Sequence, residues 1–310
     1  MKHVTIIAAA FFALVSARAD LPFVVISDWG IPPPRQARTD QREVAVQMGR
    51  TAAEIGARFV ITAGDNFQAA KNISGADDPL WKTVFEDIYT APSLQVPWYP
   101  AFGNHDYDGS PQGQIDYTKR SKRWRFSSHY YTMTSQVDAD ATVQFFILDS
   151  MPFKRSERTR PDWRAQLAWF ERELAASKAK WKIVVAHHPV YSAGTTFTVG
   201  GKVHERLVGD TPGMKEHIKP LLEKYGVQMM LCGHEHNFQH LTDGSHVNYF
   251  IIGSAAASRV AGKPHRFGKF MQGDTTGFSA IIIKRDAIEV RFVDKTGEVF
   301  YKTEVRAQAQ

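Results

Sequence analysis

Five times in this chain a short apolar run ends in Asp, Asn or His. Asp28 follows FVVIS, Asp65 follows RFVITAG, and Asn104 and His105 follow WYPAFG. His187 and His188 follow IVVA, and His234 and His236 follow MMLCG. Each apolar run reads as a short buried strand. In α/β sheets, sites form beyond the carboxyl ends of strands, so five such ends can converge on one point. Taken singly, each polar residue is an ordinary turn or helix cap. Taken together, they describe a metal site. Carboxylate and amide oxygens mixed with imidazole nitrogens suit Zn, Fe or Mn better than Ca or Cu(I). A pair of ions about 3.5–4 Å apart holds a phosphate and sharpens a bridging hydroxide as nucleophile. A shared Asp is the natural bridge.

The rest of the chain supplies the frame. Spaced apolar residues predict helices over Asp40–Gly56, Leu80–Tyr89, Gln166–Ser177 and Pro212–Tyr225. Gly109–Tyr117 and residues 190–205 read as loops. Residues 124–133 and 143–148 form a β-rich middle, and the last third is mostly strands: VNYFIIGS, FSAIIIKRDAIEVRFVD and VFYKTEV. Strand and helix alternate at first and strands then dominate, which argues α/β with sheets inside and helices outside. The expected architecture is a four-layer α-β-β-α sandwich with two central mixed sheets. No repeat or Pro/Gly-rich linker divides residues 20–310, which read as a single catalytic domain.

The first 19 residues read as an export signal. Lys2 precedes a twelve-residue apolar run, Val4–Val15, and Ala17 and Ala19 fit a cleavage site after Ala19. The run is too short for a membrane span, which needs roughly 20 residues. A periplasmic or secreted product without membrane insertion is expected. Removing this segment takes away Lys2 and Arg18 and no acid, so the formal charge falls from +6 to +4. That mild excess favours anionic substrates, but with no block of five basic residues it predicts no nucleic-acid partner. A monomer acting on a small phosphorylated substrate is expected. The single cysteine, Cys232, allows no disulfide within the chain and reads as a core residue of VQMMLC.

As a set, the polar loops resemble those of the calcineurin-like metallophosphoesterases, and most closely the small purple acid phosphatases of the tartrate-resistant type. That family carries D-x-G, G-D-x-x-Y, G-N-H-D/E, V-x-x-H and G-H-x-H. This chain has Asp28-Trp29-Gly30, Gly64-Asp65-Asn66-Phe67, Gly103-Asn104-His105-Asp106, Val184-Val185-Ala186-His187 and Gly233-His234-Glu235-His236. KRWRF near residue 124, QLAWFERELA near residue 170 and LCGHEHNFQHL at 231–241 also match, so the resemblance covers most of residues 21–305. It implies a bimetal centre of Fe, Zn or Mn ions in which Asp65 bridges. Metal one takes Asp28 and His236, and metal two takes Asn104, His187 and His234. His105 sits over the phosphate, where it stabilises the transition state or protonates the leaving oxygen. The implied activity is hydrolysis of phosphate monoesters by a metal-bridging or metal-bound hydroxide.

Two positions depart from the pattern. The family tyrosine falls at residue 68, which is Gln68 here. The wider family instead places a His at the third position of D-x-H, which is Gly30 here. Gln68, or water in its place, is therefore the expected substitute ligand at metal one. The protein is expected not to be purple, and metal one to bind more weakly. His204 is the loose match for a second histidine near the leaving group, with a solvated loop residue as the alternative. His188 reads as a wall of the pocket. Trp29, Tyr107, Tyr130 and Tyr191 line an entrance or belong to ordinary packing. Arg259, Lys263, His265 and Arg266 form a basic cluster that fits a second phosphate or a solvated loop. The competing functions are a phosphodiesterase or nucleotidase at the same centre, and a catalytically weak metal-binding surface protein.

Overall fold

A computed structural model describes residues 20–31, 37–68, 72–154, 163–199, 202–206 and 209–307. The side chains of residues 37–39, 196–199 and 202–206, and the whole of the expected export segment, lie outside the described residues. In chain order the first half holds β1 (Leu21–Ile26), α1 (Ala37–Ile55), β2 (Val60–Thr62), β3 (Trp98–Pro100) and α2 (Pro111–Asp116). Next come β4 (Tyr131–Gln136), β5 (Thr142–Ile147), α3 (Trp163–Ala176) and β6 (Trp181–Val185). A hairpin of β7 (Thr195–Val199) and β8 (Lys202–Arg206) precedes α4 (Lys219–Lys224) and β9 (Met229–Cys232). The chain continues through β10 (Phe238–Leu241), β11 (Asn248–Ile252), β12 (Gly268–Gln272), β13 (Gly277–Ile283), β14 (Ala287–Asp294) and β15 (Val299–Arg306).

Two sheets result, and both are mixed. One has the order β15-β14-β13-β1-β2-β3, the other β12-β10-β11-β9-β6-β5-β4. The parallel strands β1, β2 and β3 sit together in the first sheet. β5, β6, β9 and β11 sit together in the second. Alternation along each strand builds the layers. Phe23 and Val25 of β1 join Phe145 and Ile147 of β5 and Ile183 and Val185 of β6 in the core between the sheets. Val24 and Ile26 turn the other way, against Val44, Met48 and Ala52 of α1 and a group of aromatic rings. Phe146, Val184 and Met230 leave the second sheet on its outer side, against Phe170 and Leu174 of α3 and Leu222 of α4. The four-layer sandwich of two mixed sheets between helices is therefore the fold.

Three local expectations are corrected. Gly109–Tyr117 is not a loop. Ser110 accepts the Gly113 N–H at 3.0 Å and Pro111 opens the one-and-a-half-turn α2, a start signal hidden by its shortness. Residues 190–205 are not wholly loop either, because β7 and β8 pair there, with Phe197 opposite His204. The Leu80–Tyr89 helix is a π-helical turn over Trp81–Glu86, burying Trp81, Val84 and Phe85.

Candidate metal centre

Every parallel strand that ends near the gap between the sheets delivers a polar loop, as in other α/β sites. The loops are stitched together by the main chain. Asp28 N–H donates to Gly64 O at 3.1 Å, and Gly233 N–H donates to His187 O at 3.1 Å. Ala255 N–H reaches Ser27 O at 3.3 Å and so ties the β11 end to the β1 end. Asp28, Asp65 and His234 stand at φ 58°, 49° and 71°, in the left-handed region. Non-glycine residues held there cost about 1–3 kcal/mol each and cluster at functional sites. Gly233 permits this closeness: a Cβ there would lie 1.9 Å from Ser27 Oγ and 2.5 Å from Asp28 Oδ2.

Asp28, Asp65 and His187 are buried, and each offers a ligand atom within 4.8 Å of the other two. Two carboxylate–imidazole pairs stand out. Asp28 Oδ1 is 3.3 Å from His236 Nε2, and Asp65 Oδ2 is 3.3 Å from His187 Nε2. Ligands at about 2.1 Å around a tetrahedral ion lie about 3.4 Å from one another, so each pair has the spacing of two donors on one metal. His187 Nδ1 donates to Ala63 O at 2.9 Å, which fixes the tautomer and leaves Nε2 as the donor to an ion. His234 N–H donates to Asp28 Oδ2 at 3.0 Å, and the His234 ring lies 5.1 Å from that of His187. Asp28 Oδ1, His187 Nε2 and Asn104 Oδ1 are buried without a hydrogen-bond partner. Orphaned acceptors of this kind are rare in folded proteins, and bound cations would satisfy them.

The electrostatics agree. Burial by itself would raise Asp28, but the His187 charge, the nearby His236 imidazole and the Ser27 hydrogen bond outweigh it and hold the carboxyl below its usual range. Burial opposes charge on His187, yet the Asp65 and Asp28 carboxylates push it up to about 9. The two buried carboxylates thus favour positive charge at the point where their oxygens meet the His187 ring. His234 is driven well below its ordinary value by burial and by the His187 charge, so its ring is neutral and free to ligate. The described site therefore has the donor set, geometry and charge of a metal centre at Asp28, Asp65 and His187.

The other expected residues fall as follows. His105 is at the edge of this cluster: its N–H donates to Asp65 Oδ1 at 2.8 Å, while its half-exposed ring places Nδ1 2.8 Å from Asp108 Oδ2. Gln68 N–H donates to Gly30 O at 2.6 Å, so the two departures from the family pattern are neighbours in space. Gln68 Nε2 is buried without a partner. A side chain at Gly30 is excluded by the backbone itself, since a Cβ would lie 1.7 Å from Asn66 O. His204 lies on β8, and its side chain is outside the described residues. His188 is a buried neighbour: Nδ1 is 2.8 Å from Ser150 Oγ, and burial keeps the ring neutral.

Trp29 lines no entrance. It is fully buried among Phe67, Phe85, Tyr89, Trp98 and Trp124. Tyr191 is also interior, with its hydroxyl 3.0 Å from Asp243 Oδ2. Tyr130 is half-buried against Trp169. In the basic cluster, Arg259 N–H donates to His236 O at 2.7 Å, His265 lies 3.5 Å from Asp210 Oδ1, and the Arg266 guanidinium covers Phe267. Cys232 is buried and its thiol is pushed up by desolvation, which fits a core residue. Two neighbours of the site were missed in the sequence. Asp108 pairs with His105, and Asp149 closes the β5 end as a sixth polar strand terminus. The strand-end rule applied to VQFFILD would have found Asp149; Asp108 had only its three-residue spacing from His105 to mark it.

Comparison with known proteins agrees with this geometry. The model of the calcineurin-like phosphoesterase family matches residues 21–238. Tartrate-resistant acid phosphatase type 5 of Oryctolagus cuniculus is 32% identical over 95% of this chain and 93% of its own length. Purple acid phosphatase 17 of Arabidopsis thaliana is 32% identical over 94% of this chain and 86% of its own. Among solved structures, GAP50, the anchor in the inner membrane complex of Plasmodium, shares the fold with a TM-score of 0.82. It does so at 20% identity over 94% of this chain and 90% of its own. With that family match and a clustered metal-binding triad at its strand ends, this chain belongs to the calcineurin-like phosphoesterases and carries the equipment of a metal-dependent hydrolase.

Proposed function

We propose that the chain is an exported phosphatase that hydrolyses phosphate monoesters at a two-metal centre. The observation that carries this reading is the presence of two separate carboxylate–imidazole pairs, Asp28–His236 and Asp65–His187, each at 3.3 Å. One ion would be held by Asp28, Asp65 and His236, with Gln68 or water beside them. The other would be held by Asp65, Asn104, His187 and His234. Iron, zinc and manganese all suit this donor set. Two ions so held supply positive charge to the phosphoryl oxygens and lower the pKa of a bound water.

The chain's own groups do the remaining work. Ala63 O keeps the His187 ring in register, and Ser27 Oγ, donating to Asp28 Oδ2 at 2.7 Å, does the same for Asp28. His105, held at Nδ1 by Asp108, is placed to stabilise charge on the phosphoryl group or to give a proton to the leaving oxygen. Among the described residues, neither Ser27 nor Cys232 is offered as a nucleophile: Ser27 Oγ is committed to Asp28, and the Cys232 thiol is buried and held protonated. Direct attack by water, without a phosphoenzyme, follows. Export rests on the apolar run of Val4–Val15 and the Ala17/Ala19 pair, and N-terminal sequencing of protein recovered outside the cytoplasm tests it by looking for Asp20 as the first residue.

A diesterase or nucleotidase reading has one observation in its favour. The Arg259 N–H bond to His236 O ties the exposed basic segment to a candidate ligand. The two readings part on substrate. Turnover of p-nitrophenyl phosphate well above bis(p-nitrophenyl) phosphate supports the monoesterase, and the reverse order replaces it with the diesterase.

A further inference from the structure

The β5 end carries a buried carboxylate that the proposed chemistry does not use. Asp149 is 3% exposed, and its main chain is clamped from both sides by one side chain of α3. Asp149 N–H donates to Gln166 Oε1 at 2.9 Å, and Gln166 Nε2 donates to Asp149 O at 2.9 Å. The carboxylate is fully engaged. Oδ1 accepts the Met151 N–H at 3.0 Å, while Oδ2 accepts the Tyr107 hydroxyl and lies 3.2 Å from His129 Nδ1. Tyr107 and His129 also meet each other at 3.2 Å, and both rings pack on Phe102, two residues before Asn104. The next residue, Ser150, accepts the His188 N–H at 3.0 Å through its hydroxyl.

The position of this cluster matters. Asn104 and the turn His105–Asp108 follow β3 of the first sheet, whereas Asp149 and His187 follow β5 and β6 of the second. Leu148 N–H pairs with Val185 O at 2.9 Å, which sets Asp149 beside the strand end that delivers His187. Residues 105 and 106 of the turn are already tethered from their own side. Asn72 Nδ2 donates to His105 O at 2.5 Å, and Gly103 N–H donates to Asp106 Oδ2 at 2.7 Å. Tyr107 is the residue through which the turn reaches the opposite sheet.

We propose that Asp149 is a positioning residue that, through the Tyr107 hydroxyl, holds the His105 turn of one sheet in register with the His187 strand end of the other. A hydrogen bond to a buried carboxylate is among the stronger kinds, and this one is anchored by a main chain that Gln166 holds at both N–H and C=O. Reacting groups displaced by about 1 Å lose up to roughly 100-fold in rate. His129, the half-exposed third member, places Nδ1 3.2 Å from the same carboxylate oxygen. The inference rests on the phosphatase reading for its kinetic arm only.

Tyr107→Phe removes one oxygen and is the test. Parent and variant are compared for turnover of p-nitrophenyl phosphate after metal loading, and for amide hydrogen exchange of the 103–109 segment in metal-free protein. The expected result is a roughly 10- to 100-fold fall in kcat with KM within about twofold, and faster exchange in that segment alone. Asp149→Asn, which keeps an acceptor for the hydroxyl, is expected to lose less activity than Asp149→Ala. A Tyr107→Phe protein with parental kcat and parental exchange overturns the inference. If the loaded parent itself shows no turnover, the phosphatase reading fails, and the exchange measurement still decides the positioning claim.

Discussion

Asp106 closes the Gly103–Asp106 motif, yet its carboxylate serves the backbone. It is fully buried and accepts from Gly103 N–H at 2.7 Å, Gln114 Nε2 at 2.7 Å and Phe67 N–H at 3.2 Å. Those bonds lash the loop after β3 to the loop after β2, which carries Asp65. In Asp106→Ala the Gly103 and Phe67 N–H groups lose this acceptor. A buried donor left without an acceptor costs about 1–3 kcal/mol, so the pair costs about 2–6 kcal/mol and the expected loss is about 4 kcal/mol. Asp106→Asn keeps one oxygen. It also relieves a carboxyl whose pKa burial and the Asp65 charge push up to about 7, so about 2 kcal/mol or less is expected there. Urea unfolding of metal-free protein measures both, read as a lower midpoint at unchanged slope. Working without metal matters, because bound ions would add their own stabilisation. An Asp106→Ala protein within 1 kcal/mol of the parent, or an Asn variant less stable than the Ala variant, refutes the reasoning.

Three further outcomes follow from named contacts. His240 stacks on Phe250, with Nε2 2.9 Å from Asn248 Oδ1 and Nδ1 2.7 Å from the Tyr301 hydroxyl of the other sheet, and burial lowers its pKa below 6.5. A His with a depressed folded value is protonated more readily when unfolded. Its contribution is therefore complete above about pH 6.5 and is lost as pH falls below it. Melting temperature should drop more steeply between pH 7 and 5 for the parent than for His240→Gln, and parallel slopes would count against this. Asn104→Ala removes an orphaned buried oxygen that the proposed two-metal centre assigns to its second ion, so calorimetric metal titration should show one site weakened and one unchanged; two unchanged sites exclude Asn104 as a ligand. Gln68→Tyr should give an iron-loaded sample visible absorption that the parent lacks, and an already purple parent would show that a different residue supplies a phenolate.

Much of this site was legible in the sequence because its logic is local. A strand is visible as an apolar run, and a residue just past it is committed to the sheet's edge whatever the long-range pairing. Asp28, Asp65, His187 and His234 could be named for that reason. The second sheet's order was not legible, since nothing in VQFFIL says that its neighbours are Tyr131–Gln136 and Trp181–Val185. Asp149 was legible as a strand end of VQFFILD, but its partners Tyr107 and His129, like the Asp108 pairing with His105, are set by folding or by a tight turn. Trp29 was open in the other direction. Its place beside a ligand leaves rim and core both open in the sequence, and the structure buries its side chain in an aromatic cluster just after the left-handed backbone at Asp28. Short helices such as α2 carry too few apolar positions to show a period.

The most direct test of the central claim counts metal and turnover together. Parent and Asp65→Asn proteins are stripped, reloaded separately with Fe, Zn and Mn, analysed for ions per chain, and assayed on p-nitrophenyl phosphate from pH 4 to 9. The account predicts two ions per chain with metal-dependent turnover in the parent. It predicts at least about a 100-fold loss in Asp65→Asn, together with fewer than two retained ions, since a lost ligand costs no less than a lost outer partner. One ion per chain with full activity, or an Asp65→Asn protein that keeps both ions and its rate, would contradict it.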